Sequence, residues 1–582
     1  ANPLLLASAA ADAAAAGPIK SVRFNNDDSA YLNRTPSSAG NRKTWTFSCW
    51  VKRSELTTGS ANSRGLLAVQ DGIDDNNYFE FRFIDNKINV AGYSTVFRRT
   101  DVLYRDVSAW YHIVLAVDTT SSTADDRIKL YVNGVEVDDF GAKNNPSQNA
   151  DLAINKAASH TLGSNGTAAY FDGYIADCFL IDGQQLDPTS FGAFDDNGVW
   201  QSASYSGTFG TNGFHLFDFA NESGIGNDSS GNDNDFTVNN LVGSLTLYSS
   251  LLTNETDADS WRSAAEFPAA AFDGSLSTQA RVDDAGDVIL LDVSSLSLTG
   301  AFEVYTNYAQ SAALNDTTYD ISMSANAWTT IASDASTVNT VRFYTSARAR
   351  VNAVRVNGTI LTNDDPATLD VLRDVPTNGD SSNDTGAGGE VSGNYATWNP
   401  LDKGSGLTLA NGNLQIVSVS NDMVRSTIAM TSGKWYAEYT HGTSLGMIGI
   451  ANADADNTLY LGQSAGGVGY YYTGTTYFNN NGGVAYGASY TTGDVIGVAF
   501  DADTGSLTFY KNGVSQGAVS YTGMSSGPYF FACGVDLMAN SHMNFGQRPF
   551  AYSAPSGFSP LCTTLLPTPT IADGSDYFQT SL

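Results

Sequence analysis

The sequence predicts an all-β protein, a series of antiparallel β-sandwiches or jelly rolls behind a short N-terminal helix, and three observations carry that expectation. Only nine of the sixty acidic residues are Glu, and the other 51 are Asp. Asp favours turns and caps, whereas Glu favours helix interiors. After Pro18, apolar residues alternate with polar ones at period two almost to the end. Asn-Gly, a dipeptide suited to the positive φ values of a two-residue hairpin turn, follows a strand pattern three times: Asn133-Gly134, Asn357-Gly358 and Asn512-Gly513. Three such units in three regions predict three separate sandwiches.

Taken in order, the first segment is ANPLLLASAAADAAAA. It lacks a basic leading region and reads as a helix over residues 1–17, not a signal peptide. Asn2 caps it, Pro3 suits its first turn, and Gly17-Pro18 end it. So short a helix is marginal alone in water and gains stability by packing on another chain, so it is expected to dock or oligomerise. A first sandwich region spans 18–244. Within it, Trp45, Phe47, Cys49 and Val51 share one face, as do Phe79, Phe81 and Phe83, and Ile128, Leu130 and Val132. A second region spans 245–375, with strands such as DVILLDV and AFEVYTN. Residues 376–393, PTNGDSSNDTGAGGEVSG, are nearly devoid of apolar side chains and predict a flexible or extended linker. A third sandwich spans 394–552, and a weakly patterned tail runs over 553–582.

Composition excludes several classes of function. The net charge of −31 opposes nucleic-acid binding, which needs clustered Lys and Arg. No apolar run has the length of a membrane span. Cys49, Cys178, Cys533 and Cys562 form no CxxC pair, so a zinc site is not expected. Cys49 and Cys178 are read as neighbouring buried thiols of a protein assembled in a cytoplasm.

Some segments resemble known families. SVRFNNDDSAYL, WTFSCWVKR, WYHIVLAVD followed by IKLYVNGVEV, and AYFDGYIADCFLIDGQQLD make residues 19–200 resemble a laminin-G-like, concanavalin A-like jelly roll. SGKWYAEYT, GMIGIAN, GDVIGVAFDADTGSLTFYKNGVSQG and PYFFACGVDL through MNFGQRPF make residues 394–552 resemble a SPRY domain. AAFDGSLSTQ in the middle region resembles the start of a discoidin-type carbohydrate-binding sandwich. The laminin-G-like and SPRY pair, with the lead-in DVPTNGDSSNDTGAGGEVSGNYATWNPLD, resembles structural proteins of tailed bacteriophages.

Hydrolases on the concanavalin A-like scaffold need two carboxylates at a controlled separation, and no ExDxE or ExDxxE string occurs. GTSLG at 442–446 matches a nucleophile elbow in letters, but an apolar strand follows it where the elbow needs a helix. The five histidines are scattered, and His112 reads as a satisfied sheet residue. The laminin-G-like resemblance implies calcium, a hard cation wanting several oxygen ligands. Asp71, Asp74 and Asp75, and Asp228, Asp233 and Asp235, are the candidate ligands, with ordinary turns as the alternative. Glycan contact calls for exposed rings beside polar turns. Tyr470, Tyr471, Tyr472, Tyr477 and Phe478 are the candidates, and alternation puts Tyr471 on one face and Tyr470 and Tyr472 on the other.

The resulting expectation is a non-enzymatic protein of the bacteriophage virion surface, assembled in the host cytoplasm: a tail fibre, head fibre or decoration subunit. It would meet other virion proteins through the N-terminal helix and a host-surface glycan or protein through its sandwiches. A homo-oligomer, a trimer by analogy with phage fibres, is expected on general grounds. The alternatives are a bacterial surface carbohydrate-binding protein and a polysaccharide depolymerase.

Overall fold

The structure, a computed structural model, describes residues 17–567 apart from 57–62, 196–197, 221–223, 244–247, 257–260, 263–265, 274, 297, 362–368, 419–420, 481, 522–526 and 536. The expected docking helix over residues 1–17 lies, save Gly17, outside the described residues. The all-β expectation holds: among the described residues regular structure is strand, paired antiparallel save for one short parallel pair, with short 3₁₀ turns. Among the described residues no helix is long and apolar enough to cross a membrane.

The first sandwich packs two eight-stranded sheets. One has Thr44–Arg53 at its centre, between Trp110–Asp118 and Gly173–Asp182. The other runs through Arg64–Gln70, Tyr78–Ile84 and Lys87–Ala91. Alternation sends Trp45, Phe47, Cys49 and Val51 inward to meet Phe79, Phe81 and Phe83, all fully buried. Trp45–Phe79 and Phe47–Phe81 meet edge to face at 5.5 and 5.9 Å, the arrangement that aromatic quadrupoles favour. All four cysteines are buried and free.

The third sandwich packs a seven-stranded sheet containing Met447–Asn452, Gly467–Tyr471 and Thr475–Phe478 on a nine-stranded one containing Lys434–Thr440 and Val495–Asp501. Ser559–Pro560 of the tail adds in parallel to Trp435–Tyr436. Thr443–Ser444 is a short strand pairing with Met538–Ala539, and the strand Met447–Asn452 follows it, so GTSLG is no elbow.

Two differences from the sequence reading matter. First, the chain forms two compact units, not three. Residues 1–243 and 370–582 make one unit, in which Trp50, Trp110, Tyr174 and Leu372 of the first sandwich join the apolar cluster of the third. Residues 370–375, assigned by sequence to the middle region, belong here, and Val371–Leu372 pairs with Ser21–Val22. Second, the segment 376–393 is packed, not a flexible linker. Val391 is buried, Gly389 N–H donates to Gly546 O at 2.8 Å, and Gly379 N–H donates to Ser392 O at 2.9 Å. Gly388 and Gly389, at φ of 72° and 71°, let the backbone approach Pro549 and Arg548 closely. Its order comes from main-chain hydrogen bonds, which an apolar-residue count does not register.

The second unit, 244–369, is a separate sandwich. A five-stranded sheet through Ile289–Asp292 and Thr340–Tyr344 faces a four-stranded one through Phe302–Thr306 and Ala353–Val356. Ile289, Leu291, Phe302, Val304, Val341 and Phe343 fill its core.

Candidate binding surfaces

The tyrosine candidates separate by face. In Gly467–Tyr471, Val468 and Tyr470 point inward and are fully buried. Phe478 sits opposite Val468 in the register and shares that inner face. Tyr470 is therefore a core residue, not a glycan contact, whereas Phe478 is only partly buried against the core. Tyr471, on the other face, meets Tyr477 at 5.5 Å, and Tyr477 meets Tyr460 edge to face at 6.0 Å. Tyr472 does not return to Tyr470's face, because the strand ends at Tyr471. Its N–H turns to Gly446 O at 2.9 Å and its ring packs on Tyr471 at 4.7 Å. Tyr460, Tyr471, Tyr472 and Tyr477 thus form a half-buried ring cluster on the outer side of the sheet. Tyr460 was missed because it lies in a loop with no strand pattern.

The calcium expectation is corrected. Among the described residues no three His, Cys, Asp or Glu are grouped to hold a metal ion. Asp71 pairs with Lys156, and Asp74 accepts from Asn76 N–H at 2.9 Å and Asn77 Nδ2 at 2.8 Å. Asp75 accepts from Ser94 N–H at 2.8 Å and Thr95 Oγ1 at 2.6 Å. Asp228 takes four donors: the N–H groups of His215, Ser230 and Asn234 and the Ser230 hydroxyl, all at 2.8–2.9 Å. Asp235 accepts the N–H of Asp228 at 2.8 Å, and Asp233 sits in the left-handed region at φ 55°. Asp74, Asp75, Asp228 and Asp235 stabilise turns by accepting backbone N–H bonds, which leaves few lone pairs to converge on one ion.

A relay formed by Ser229, His215 and Asp177 carries no local sequence signature. His215 Nδ1 meets Ser229 Oγ at 2.9 Å and Nε2 meets Asp177 Oδ1 at 2.7 Å, beside a cavity of about 440 Å³. The distances suit nucleophilic catalysis, but the surroundings do not. An acyl-transfer site needs N–H donors beside the nucleophile for the developing oxyanion. Here Ser229 N–H is donated to His215 O at 3.0 Å and Ser230 N–H to Asp228 Oδ1 at 2.9 Å. The ring lies flat on Phe179 at 4.0 Å, and Ser202 Oγ holds the other Asp177 oxygen at 2.8 Å. The group fastens the bulge at Asp177, whose φ is 50°, to its neighbouring strand.

His112 is satisfied in its sheet. Trp200 Nε1 donates to its Nδ1 at 2.9 Å. An indole only donates, so the ring proton sits on Nε2 and goes to Ser48 Oγ at 2.8 Å. Burial pushes His112 down to about 3 and His160 down to about 4. A depressed base contributes stability that is present above its unfolded value near 6.5 and lost as the pH falls toward its folded value. Between pH 6.5 and 4.5, wild type is therefore expected to lose roughly 2–3 kcal/mol relative to His112→Gln. Urea unfolding of both proteins across that range tests this, and parallel pH profiles would refute it.

The described residues thus form two joined antiparallel sandwiches, with a third carried between them in sequence, bearing surface rings and turn-capping acids. Comparison with known proteins agrees at the level of domains. Residues 24–184 match the concanavalin A-like lectin/glucanases superfamily, and residues 434–548 match the SPRY domain. Among curated proteins, the chain is 33% identical over 143 residues to the E3 ubiquitin-protein ligase RKP of Arabidopsis thaliana, covering 24% of this chain and 11% of that protein. It is 34% identical over 106 residues to the dual specificity protein kinase splA of Dictyostelium discoideum, covering 18% of this chain and 4% of that protein. The matched segments are thus small parts of much longer relatives. Among solved structures, a TRIM65 PSpry domain covers 26% of this chain and 90% of its own at 14% identity and a TM-score of 0.22, and stonustoxin covers 26% of each chain at 19% identity and the same TM-score.

Proposed function

We propose that the chain is a non-enzymatic attachment protein of the bacteriophage virion surface, holding a host-surface glycan or protein on rigid β-sandwiches. The observation that carries the binding role is the outer ring cluster of Tyr460, Tyr471, Tyr472 and Tyr477, which offers apolar faces with hydroxyls at their edges. Support for a binding role also comes from the two matched domains, one of them in a superfamily that includes lectins. The virion setting rests on the resemblance of the domain pair and its lead-in to tailed-phage structural proteins. In this reading residues 1–17 dock the chain to other virion proteins, and oligomeric copies multiply weak individual contacts. The non-enzymatic reading draws on the committed N–H groups around Ser229.

Binding of the full chain to a panel of bacterial surface polysaccharides tests this. Tyr477→Ala is expected to weaken binding about 5- to 10-fold, the worth of one ring contact. Polysaccharide chain length is expected to stay constant, and a fluorophosphonate is expected to leave Ser229 unlabelled. Shortened chains or a labelled Ser229 would overturn the non-enzymatic reading. A gold label placed after Leu582 and absent from the surface of phage particles would overturn the virion reading.

A further inference from the structure

The second unit, 244–369, contains fifteen acidic residues and six basic ones, and all six basic ones are Arg. Two of them each hold a carboxylate of their own. Arg342 bonds both oxygens of Glu255 at 2.7–3.0 Å, and Arg355 bonds those of Glu303 at 2.7 and 2.9 Å. The other four, Arg262, Arg281, Arg348 and Arg350, have Glu266 between them. Arg281 Nη1 meets Glu266 Oε1 at 3.2 Å, and Arg262 Nε meets Oε2 at 3.8 Å. Arg350 lies within electrostatic reach of Glu266, Arg262 and Arg348. Among the described residues neither Arg348 nor Arg350 has a carboxylate at ion-pair distance.

Strand pairing forces these charges together. Ala280–Arg281 pairs with Arg350–Val351, so Arg281 and Arg350 stand directly opposite each other. Arg262 N–H donates to Arg281 O at 3.1 Å, which places a third Arg on the adjoining segment. Like charges opposed across a sheet are destabilising. Burial holds the Arg350 guanidinium below the usual arginine range, and the charges of Arg262 and Arg348 push it the same way, against Tyr308 and Glu266. Donors remain free for a ligand. Arg348 Nε donates to Asp283 O and Arg350 Nε to Arg348 O, which leaves the Nη groups of both without an acceptor among the described residues. Both side chains are half-buried, and Arg262 is 44% exposed. The Arg350 guanidinium is steadied 4.3 Å above the exposed ring of Tyr308. Arg281, 14% exposed, adds charge behind the others.

We propose that Arg262, Arg348 and Arg350 bind a compact divalent oxyanion, a phosphate or sulfate, either free or at the end of a larger ligand. A guanidinium fork matches two oxygens of such a group at once. Four positive charges around one carboxylate leave an excess that a doubly charged anion largely cancels and a monocarboxylate does not. An extended polyanion is disfavoured, because it would meet the acidic remainder of the unit. This site stands in a different unit from the ring cluster and does not rest on the function proposed for it.

Isothermal titration of the full chain at constant ionic strength tests the site. The probes are inorganic phosphate, sulfate, glycerol phosphate and acetate, each up to about 10 mM. At least one divalent probe is expected to bind saturably, and acetate is not. A preference between inorganic phosphate and glycerol phosphate tells a free ion from an ester. Arg348→Gln and Arg350→Gln are each expected to weaken binding about 5- to 10-fold. Glu266→Gln removes the competing negative charge and is expected to tighten it about 3-fold, a gain that damage to the fold would not produce. Arg355→Gln, whose guanidinium is engaged by Glu303, and Tyr477→Ala are expected to leave it unchanged. Melting curves establish that each variant folds. Silence of all three divalent probes, an equal response to acetate, or a loss in Arg355→Gln as large as that in Arg350→Gln would overturn the site and leave the proposed function standing.

Discussion

Asp374→Ala is expected to destabilise the first unit by roughly 3–5 kcal/mol, because it strands a buried lysine. Lys52 and Asp374 are 1% and 0% exposed and lie 2.9 Å apart. Lys52 is otherwise saturated, donating to Asn394 Oδ1 and Tyr395 O, both at 2.8 Å. Asp374 also accepts Trp110 Nε1 at 3.2 Å and Tyr395 N–H at 3.3 Å. One ion pair thus joins a strand of the first sandwich to the lead-in of the third. Urea unfolding provides the measurement, with a double-mutant cycle to separate the pair from its surroundings. The double variant Lys52→Met/Asp374→Leu is expected to recover part of the loss, since apolar replacement of a buried pair is often close to neutral. Recovery stays incomplete because the Tyr395 carbonyl and the Trp110 N–H lose partners. A loss below about 1 kcal/mol for Asp374→Ala, the size expected of an exposed pair, would refute the assignment.

This pair shows where sequence reading stops. The inward faces were legible because alternation is local: Trp45, Phe47, Cys49 and Val51, then Phe79, Phe81 and Phe83, are all buried as the period-two pattern requires. Lys52 and Asp374 stand 322 positions apart, and nothing local to either marks it as buried. The burial of Trp50 and Trp110 is illegible for the same reason, since they enter the apolar cluster of the third sandwich only after the two sandwiches have joined. The tyrosine run was half legible. Both faces carry tyrosine, so ring identity could not choose the inner one. The neighbours could have done so, because Val468 accompanies Tyr470 while Gly467 and Gly469 accompany Tyr471. The acidic turns misled because one Asx spacing serves both cation ligation and N–H capping, and only the count of donors around each carboxylate distinguishes them.

Asp370→Ala is expected to cost the first unit a similar 3–5 kcal/mol while leaving the unfolding of the second unit unchanged. Arg23 and Asp370 are 1% and 9% exposed and are joined by two bonds of 2.9 and 3.1 Å. The same carboxylate accepts Val242 N–H at 2.8 Å, while Asp370 N–H donates to Val242 O at 2.9 Å and Arg23 N–H to Asp370 O at 2.7 Å. Residues 242 and 370 are therefore neighbours on the first unit, clasped across the whole length of the second. A chain that leaves and re-enters a fold at adjacent points carries an insertion whose removal opens no gap. Replacing 244–369 with a short Gly-Ser linker is thus expected to preserve the transition of the first unit, provided Asp370 is kept. Expressed alone, 244–369 is expected to unfold cooperatively on the strength of its own core. In calorimetry of the full chain, Asp370→Ala should shift one transition and spare the other. A joint shift would mean that the clasp is not confined to the first unit, and no shift at all would mean that Arg23 finds equivalent partners without it.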